Sequence, residues 1–195
     1  MTRLVLATHN RHKVVELRRI LGDAGLGDIE VLSADDLPGL PDVAETGTTF
    51  AENALLKAHA VAAATGLPAV ADDSGIAAAA LNGAPGVRSA RYAGEDATDE
   101  DNRVKLEAEV PTGTRLRYTC VIAHVDPDGE ETLFEGICEG TMAPARSGTG
   151  GFGYDPLFVP DGGDGRTMAD LGDDEKDAVS HRGIAARQLL AWLSA

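Results

Sequence analysis

Short apolar runs separated by polar, glycine-bearing loops set the rhythm of this chain. Leu4-Val5-Leu6-Ala7 is continuously apolar and ends at Thr8, the pattern of a strand buried on both faces. Beyond it, Val14, Leu17 and Leu21 recur at helical spacing, with Asn10 placed to cap the helix and Gly22 to stop it. Strand, polar loop and helix in this order often put a ligand loop at the carboxyl end of a strand in α/β proteins. A second helix is predicted from Thr49, which stands in capping-box spacing with Glu52, through Leu55, Leu56 and His59 to Gly66. Pro68-Ala69-Val70-Ala71 predicts a short strand that ends in Asp72-Asp73-Ser74-Gly75. Helical spacing returns over 99–109. Residues 115–126 and 131–142 then flank Asp126-Pro127-Asp128-Gly129, a hairpin signal. The last helix is expected to be capped by Ser180 and to bury Ile184, Leu189, Trp192 and Leu193.

No internal repeat or long linker breaks this pattern, so residues 1–195 are expected to form one domain, with room for two lobes. A chain of this length buries roughly 70% of the surface its unfolded form exposes. An apolar fraction of 43% and a charged fraction of 25% are those of a globular chain. The net charge of −15 argues against nucleic acid or an anionic membrane as the main partner, while leaving open a small anionic ligand met by a local cluster of cations. The apolar run near the start is too short for a secretory signal, and no stretch approaches the ~20 apolar residues of a membrane span. Cys120 and Cys138 lack CxxC spacing and are expected to be buried free thiols. The expected location is the cytoplasm.

Charge is unevenly shared between the two cation types. There are four lysines against thirteen arginines, and Lys13, Lys57 and Lys176 sit at polar positions accompanied by Asn or Ser. Lysine suits a phosphate oxygen as a point charge. Asn10 and Lys13 share the first turn of a predicted helix, where free backbone N–H groups favour an anion; a cap plus a surface lysine explains them equally well. Asn53 and Lys57 are four apart and can face one ligand, whereas Glu52 is accounted for by capping. Glu45 lies in an irregular segment and owes nothing to helix formation.

Asp72 and Asp73 would point to opposite faces if the strand continued through them. Either they serve a turn locally, or one enters a cleft where, beside Glu45, it could hold Mg2+ together with substrate phosphates. In Gly150-Gly151-Phe152-Gly153-Tyr154-Asp155-Pro156, the glycines would expose aromatic faces to something flat, with Asp155 as an acceptor for ring N–H groups; a tight loop around a core aromatic is the alternative. The segment is neither a P-loop nor GxGxxG opening a helix. Ser180-His181-Arg182 places cationic groups where a helix dipole disfavours them, which suits an electron-rich ligand, a satisfied histidine or a solvated arginine.

Taken together, these motifs resemble the inosine triphosphate pyrophosphatases, the non-canonical purine nucleoside triphosphate pyrophosphatases. The matching residues are Thr8-x-Asn10-x-x-Lys13, Glu45-Thr46-Gly47 with Phe50-x-Glu52-Asn53 and Lys57, and Ala71-Asp72-Asp73-Ser74-Gly75. Gly83-Ala84-Pro85-Gly86 with Ser89-Ala90-Arg91-Tyr92, the glycine-rich segment through Asp155-Pro156, and Lys176 with Ser180-His181-Arg182-Gly183 complete the set. They run from end to end in the family's order.

The resemblance implies an α/β fold with an elongated mixed central sheet flanked by helices, two lobes and an active-site cleft between them. It implies a homodimer, Mg2+ as cofactor, and hydrolysis of ITP, dITP and XTP to the monophosphate and pyrophosphate. That activity would cleanse the nucleotide pool and keep such bases out of DNA and RNA. Lys13 and Lys57 would contact phosphates, with Thr8, His9, Asn10, Arg11 and His12 forming the loop before Lys13 and Asn53 beside Lys57. Glu45 and Asp73 would support Mg2+, and Asp73 would be the general base. Ser74 would touch substrate. Phe152 would stack on the base within Gly153-Tyr154-Asp155, and Lys176, His181 and Arg182 would help to recognise it. Two features depart from the family pattern: His9, a position often small in relatives, and the Gly/Asp-rich loop over 161–170. A nucleotide-sensing module would not need Glu45 and Asp73 together, a phosphatase would release orthophosphate, and the motifs of pyrimidine-preferring Maf-type enzymes are not those found here.

Overall fold

The computed structural model describes residues 2–8, 10–23, 29–33, 36–37 and 39–195. The strands are β1 (Thr2–Leu6), β2 (Ile29–Leu32), β3 (Ala69–Ala78), β4 (Arg115–Val125), β5 (Glu131–Met142) and β6 (Phe158–Pro160). The helices are α1 (Arg11–Asp23), α2 (Phe50–Thr65), α3 (Asp99–Glu109), α4 (Asp173–Val179) and α5 (His181–Leu193). Strand order in the six-stranded sheet is β2-β1-β3-β4-β5-β6. β1 runs parallel to both β2 and β3, and β5 runs antiparallel to β6, so the sheet is mixed as expected.

Local signals account for most boundaries. Asn10 Oδ1 accepts from the backbone N–H groups of His12 (3.0 Å) and Lys13 (3.3 Å) and so caps α1. Thr49 and Glu52 form the predicted capping box on α2, and Gly66 closes that helix; such a cap stabilises a helix by about 1 kcal/mol. The β4–β5 turn closes through Asp126 N–H to Glu130 O at 3.0 Å and Gly129 N–H to Asp126 O at 2.9 Å. Two expectations are corrected, and one helix is added. The strand predicted to end at Asp72 continues to Ala78. Ahead of α5 lies α4, a short helix rich in acidic residues that no apolar periodicity announces, and Ser180 stands between the two helices. In α5 the buried apolar residues are Ala185, Ala186, Leu189 and Leu190, with Leu193 packed against the same core; Leu189 is buried as expected, while Trp192 stays 42% exposed, because the helix turns a small-residue face inward.

The chain divides into two compact units. One comprises Met1–Asp73, Cys120–Gly136 and Arg182–Ala195, the other Ser74–Thr119 and Ile137–His181. In the first unit the side chains of β1 alternate. Leu4 and Leu6 pack with Leu17 of α1 and Leu189 of α5, whereas Val5 and Ala7 pack with Ala54, Ala58 and Val61 of α2. Helices therefore cover both faces here, and β3 is correspondingly apolar on both sides before Asp72. The second unit has its own core, including Ile76, Leu106, Leu116, Tyr118, Tyr154 and Phe158. Cys120 and Cys138 are free and buried. Among the described residues no helix is long and apolar enough to cross a membrane.

Candidate active site

The alternation of β3 sorts its two aspartates. Val70 belongs to the core facing α1 and α5, while Ala69 and Ala71 belong to the core facing α2. Two residues on, Asp72 must follow Val70 and Asp73 must follow Ala71. The contacts obey this rule.

Asp72, 1% exposed, meets residues of α1 and α5. Its Oδ2 lies 3.0 Å from Lys13 Nζ and accepts from Arg182 Nε (3.2 Å) and Nη2 (3.1 Å). Arg182 Nη1 donates to Glu16 Oε2 at 2.7 Å, and both Glu16 and Arg182 are buried. Burial alone would raise the Asp72 pKa, but Lys13, Arg182 and Lys57 outweigh it and hold this carboxyl well below the usual range. The buried Cys120 thiol, 3.9 Å from Asp72 Oδ2, is pushed up to about 12 by burial and then by the aspartate charge, and is unreactive.

Asp73, 6% exposed, meets α2 instead. Its Oδ2 accepts from Asn53 Nδ2 at 3.0 Å, and its Oδ1 lies 3.9 Å from Lys57 Nζ. Lys57 Nζ also donates to Glu45 Oε1 at 2.7 Å and to the Asp72 carbonyl at 2.8 Å. Desolvation raises the Asp73 pKa and Glu45 adds to the rise; Lys57, Asn53 and Lys13 oppose it without cancelling it. One strand thus carries an aspartate held firmly ionised and, beside it, one whose burial raises its pKa above the ordinary carboxylate value.

Asn53, 1% exposed, uses both ends of its amide. While Nδ2 holds Asp73, Oδ1 accepts from Gly47 N–H at 2.8 Å, which fixes the segment that carries Glu45. A Cβ on Gly47 would lie 2.7 Å from that same Oδ1, so glycine is required there for close approach. Glu52 accepts from Thr48 and Thr49 and belongs to the helix cap, as expected.

In the first loop Thr8 Oγ1 accepts from Asn10 N–H at 3.2 Å. Arg11 and His12 are exposed, and Lys13 is half-buried. His9 lies outside the described residues.

The other sequence-predicted residues belong to the second unit. Asp155, 3% exposed, accepts from Phe152 N–H (2.9 Å) and Lys176 Nζ (2.8 Å) through Oδ2 and from Tyr118 OH (3.2 Å) through Oδ1. Oδ2 therefore serves the loop that contains Phe152, and Oδ1 ties that loop to Tyr118 of β4. Gly151 has φ +67°, and a Cβ there would fall 2.0 Å from Asp155 Oδ2, so neither backbone nor space admits another residue. Lys176 Nζ sits 5.0 Å from the centroid of the half-buried Phe152 ring, within cation–π range.

Tyr154 differs from the expected exposed aromatic. It is a core residue whose OH donates to Ser89 O at 2.7 Å. His181 is buried and stacks on Tyr118, with centroids 4.4 Å apart and planes 4° from parallel. Ser74, the first residue of this unit, is half-buried. Glu16 and Tyr118 were not foreseen. Glu16 reads as an ordinary polar position on an amphipathic helix, and Tyr118 as strand core; no local pattern marks either.

The sequence pattern of the Ham1 family matches residues 4–192, nearly the whole chain. The chain belongs to the Ham1 family. Among Ham1 relatives, a Streptomyces coelicolor protein named dITP/XTP pyrophosphatase is 53% identical over 194 residues, covering 97% of this chain and 96% of that protein. A Nocardia farcinica protein of the same name is 51% identical over 199 residues, covering 100% and 96%. A Ham1 structure from Coxiella burnetii superposes with a TM-score of 0.87 at 42% identity, covering 100% of this chain and 99% of that one. The Ham1 relationship accounts for the mixed sheet and for motifs that run the length of the sequence.

Proposed function

We propose that this chain hydrolyses non-canonical purine nucleoside triphosphates, dITP, XTP and ITP, to the monophosphate and pyrophosphate, and so clears them from the nucleotide pool. The observation that carries the reading is Asp73: a buried carboxylate, its pKa raised by burial, held by Asn53 and flanked by Lys57 and Glu45. A carboxylate placed in this way serves as general base for an attacking water. The names and identities of the Ham1 relatives support the same reaction.

In the proposed step, Asp73 takes a proton from water as the oxygen attacks the α-phosphorus. The bond from the α-phosphorus to the bridging oxygen breaks, and pyrophosphate leaves with the electron pair. Lys57 and Lys13 place positive charge for phosphate oxygens, and Asp72 keeps Lys13 oriented. Glu45 and Asp73 fit Mg2+: they are hard oxygen donors whose charges oppose each other. No group of three or more His, Cys, Asp or Glu residues among those described could hold a metal, so substrate phosphates and water would complete such a set. When bound, the ion would neutralise phosphate charge. Phe152 offers a ring face to the base. Because inosine and xanthine carry a C6 keto group where adenine carries an amine, a site of fixed donors such as His181 would reject ATP. The proposed enzyme acts as a cytoplasmic homodimer.

Product analysis tests this reading. With Mg2+, dITP, XTP and ITP are expected to yield monophosphate and pyrophosphate rapidly and GTP and ATP slowly, with loss of turnover in EDTA. Orthophosphate as the first product would replace the reading with a phosphatase, and binding without turnover would replace it with a sensor.

A further inference from the structure

The backbone of Gly153, the residue after Phe152, is gripped at both its polar atoms by one helix. Asp99 Oδ2 accepts from Gly153 N–H at 2.8 Å, and Arg103 Nη1 donates to Gly153 O at 2.6 Å. Asp99 and Arg103 stand four apart on α3 and therefore share a face. Phe152 N–H is already taken by Asp155. Three charged side chains thus fix three successive peptide groups, the two that flank Phe152 and the next one.

The helix that supplies this grip is itself anchored. Asn102, 2% exposed, accepts from Ala93 N–H at 2.8 Å and donates to Ala90 O at 3.0 Å. Arg103 is steadied by Glu100, which accepts from its Nε at 3.2 Å and from Arg146 Nη1 at 2.6 Å through its other oxygen. Charge-assisted bonds to a backbone are stronger than neutral ones and set geometry. A half-buried arginine needs no contact with a glycine carbonyl to keep α3 helical, and Asp99 has no role in the capping box, which Thr98 and Asp101 complete. Neither contact is explained by the helix alone.

We infer that Asp99 and Arg103 are positioning residues that determine base specificity by fixing the ring of Phe152 through Gly153. This rests on the reading of Phe152 as the residue that stacks on the base. The two carboxylates also consume the N–H groups of Phe152 and Gly153, so this loop presents a ring face to the base and keeps those donors from it.

The test is steady-state kinetics on dITP, XTP and GTP with the full chain and Mg2+, for Arg103→Ala, Arg103→Lys, Asp99→Ala, Phe152→Ala and the Arg103→Ala/Phe152→Ala double variant. Arg103→Ala and Asp99→Ala are expected to raise KM for dITP about tenfold, the size of one lost charge-assisted bond, with a smaller change in kcat. The XTP-to-GTP ratio narrows in both. Arg103→Lys recovers most of the KM, since an ammonium still donates to the Gly153 carbonyl. In the Phe152→Ala background, Arg103→Ala costs no more than about twofold further, because both act through one ring.

Unchanged KM in both α3 variants, or the same penalty with and without Phe152, would overturn the inference while leaving the pyrophosphatase reading intact. The two variants cut different bonds to the same residue, so a folding failure in one leaves the other as the test. Wild-type turnover with normal KM in Phe152→Ala would instead overturn the stacking reading, and the inference with it.

Discussion

Asn53 Nδ2 donates to Asp73 Oδ2 at 3.0 Å while Asn53 Oδ1 accepts from Gly47 N–H at 2.8 Å, so one buried amide aligns the proposed base with the segment that carries Glu45. Asn53 therefore acts on the reaction through its neighbours, which shapes the first expectation. Asn53→Ala removes a bond that lowers the Asp73 pKa. The acid limb of the kcat/KM profile is expected to move to higher pH, and kcat at neutral pH to fall. Stability falls by about 1–3 kcal/mol, because Gly47 N–H loses its acceptor. A pH–rate series together with a denaturant titration measures both.

Asp73→Asn is expected to lower kcat by about 10²–10⁴-fold, the usual contribution of a general base, while the protein folds and binds nucleotide. It is also expected to be more stable than the wild type at neutral pH. The folded pKa of Asp73 lies above its unfolded value. The native state therefore binds more protons in that window, and stability is lost as pH rises through the folded pKa. The neutral amide avoids that loss. Equal or lower stability at neutral pH would show that Asp73 is not held under strain.

Arg182 is expected to matter most in acid. The Asp72 carboxyl, held well below its unfolded value despite burial, contributes stability above the unfolded pKa, and that contribution is lost as pH falls through the folded one. Arg182→Met removes one of the charges responsible and leaves Glu16 and Asp72 buried without it. We expect a cost of about 3–5 kcal/mol and acid unfolding that begins at higher pH. Circular dichroism across an acid titration checks this; an unshifted midpoint would mean that Lys13 suffices.

Lys57 contacts Glu45, Asp73 and the Asp72 carbonyl from a largely buried position. Lys57→Met is expected to raise KM for every triphosphate alike. It also moves the acid limb up, because the lysine charge lowers the Asp73 pKa. Phe152→Ala should instead act unequally across bases. Comparing the two variants on dITP, XTP and GTP separates phosphate binding from base recognition.

Periodicity and caps made much of the fold readable in advance. The α2 capping box, the turn over 126–130 and the parallel opening of the sheet each follow from residues within a few positions of one another. α4 was not readable, because its seven residues carry acidic side chains without an apolar stripe. The extension of β3 was missed because two aspartates suggest a turn, and here tertiary partners on both faces satisfy them. For the site, Lys57, Glu45 and Asp73 were legible as a set and do lie together. The partners of Asp155 and Arg182 were not, since Glu16 lies 166 positions from Arg182 and no local spacing encodes such a pairing.

The two aspartates of β3 also constrain how this sequence can drift. Their roles are allotted by odd or even position along a strand, so exchanging them is meaningless and neither can stand in for the other. A single inserted or deleted residue between Val70 and Asp72 would hand each side chain to the wrong helix, with every amino acid of the site still present. The reading frame of the pleat is thus as much a part of the chemistry as the carboxylates.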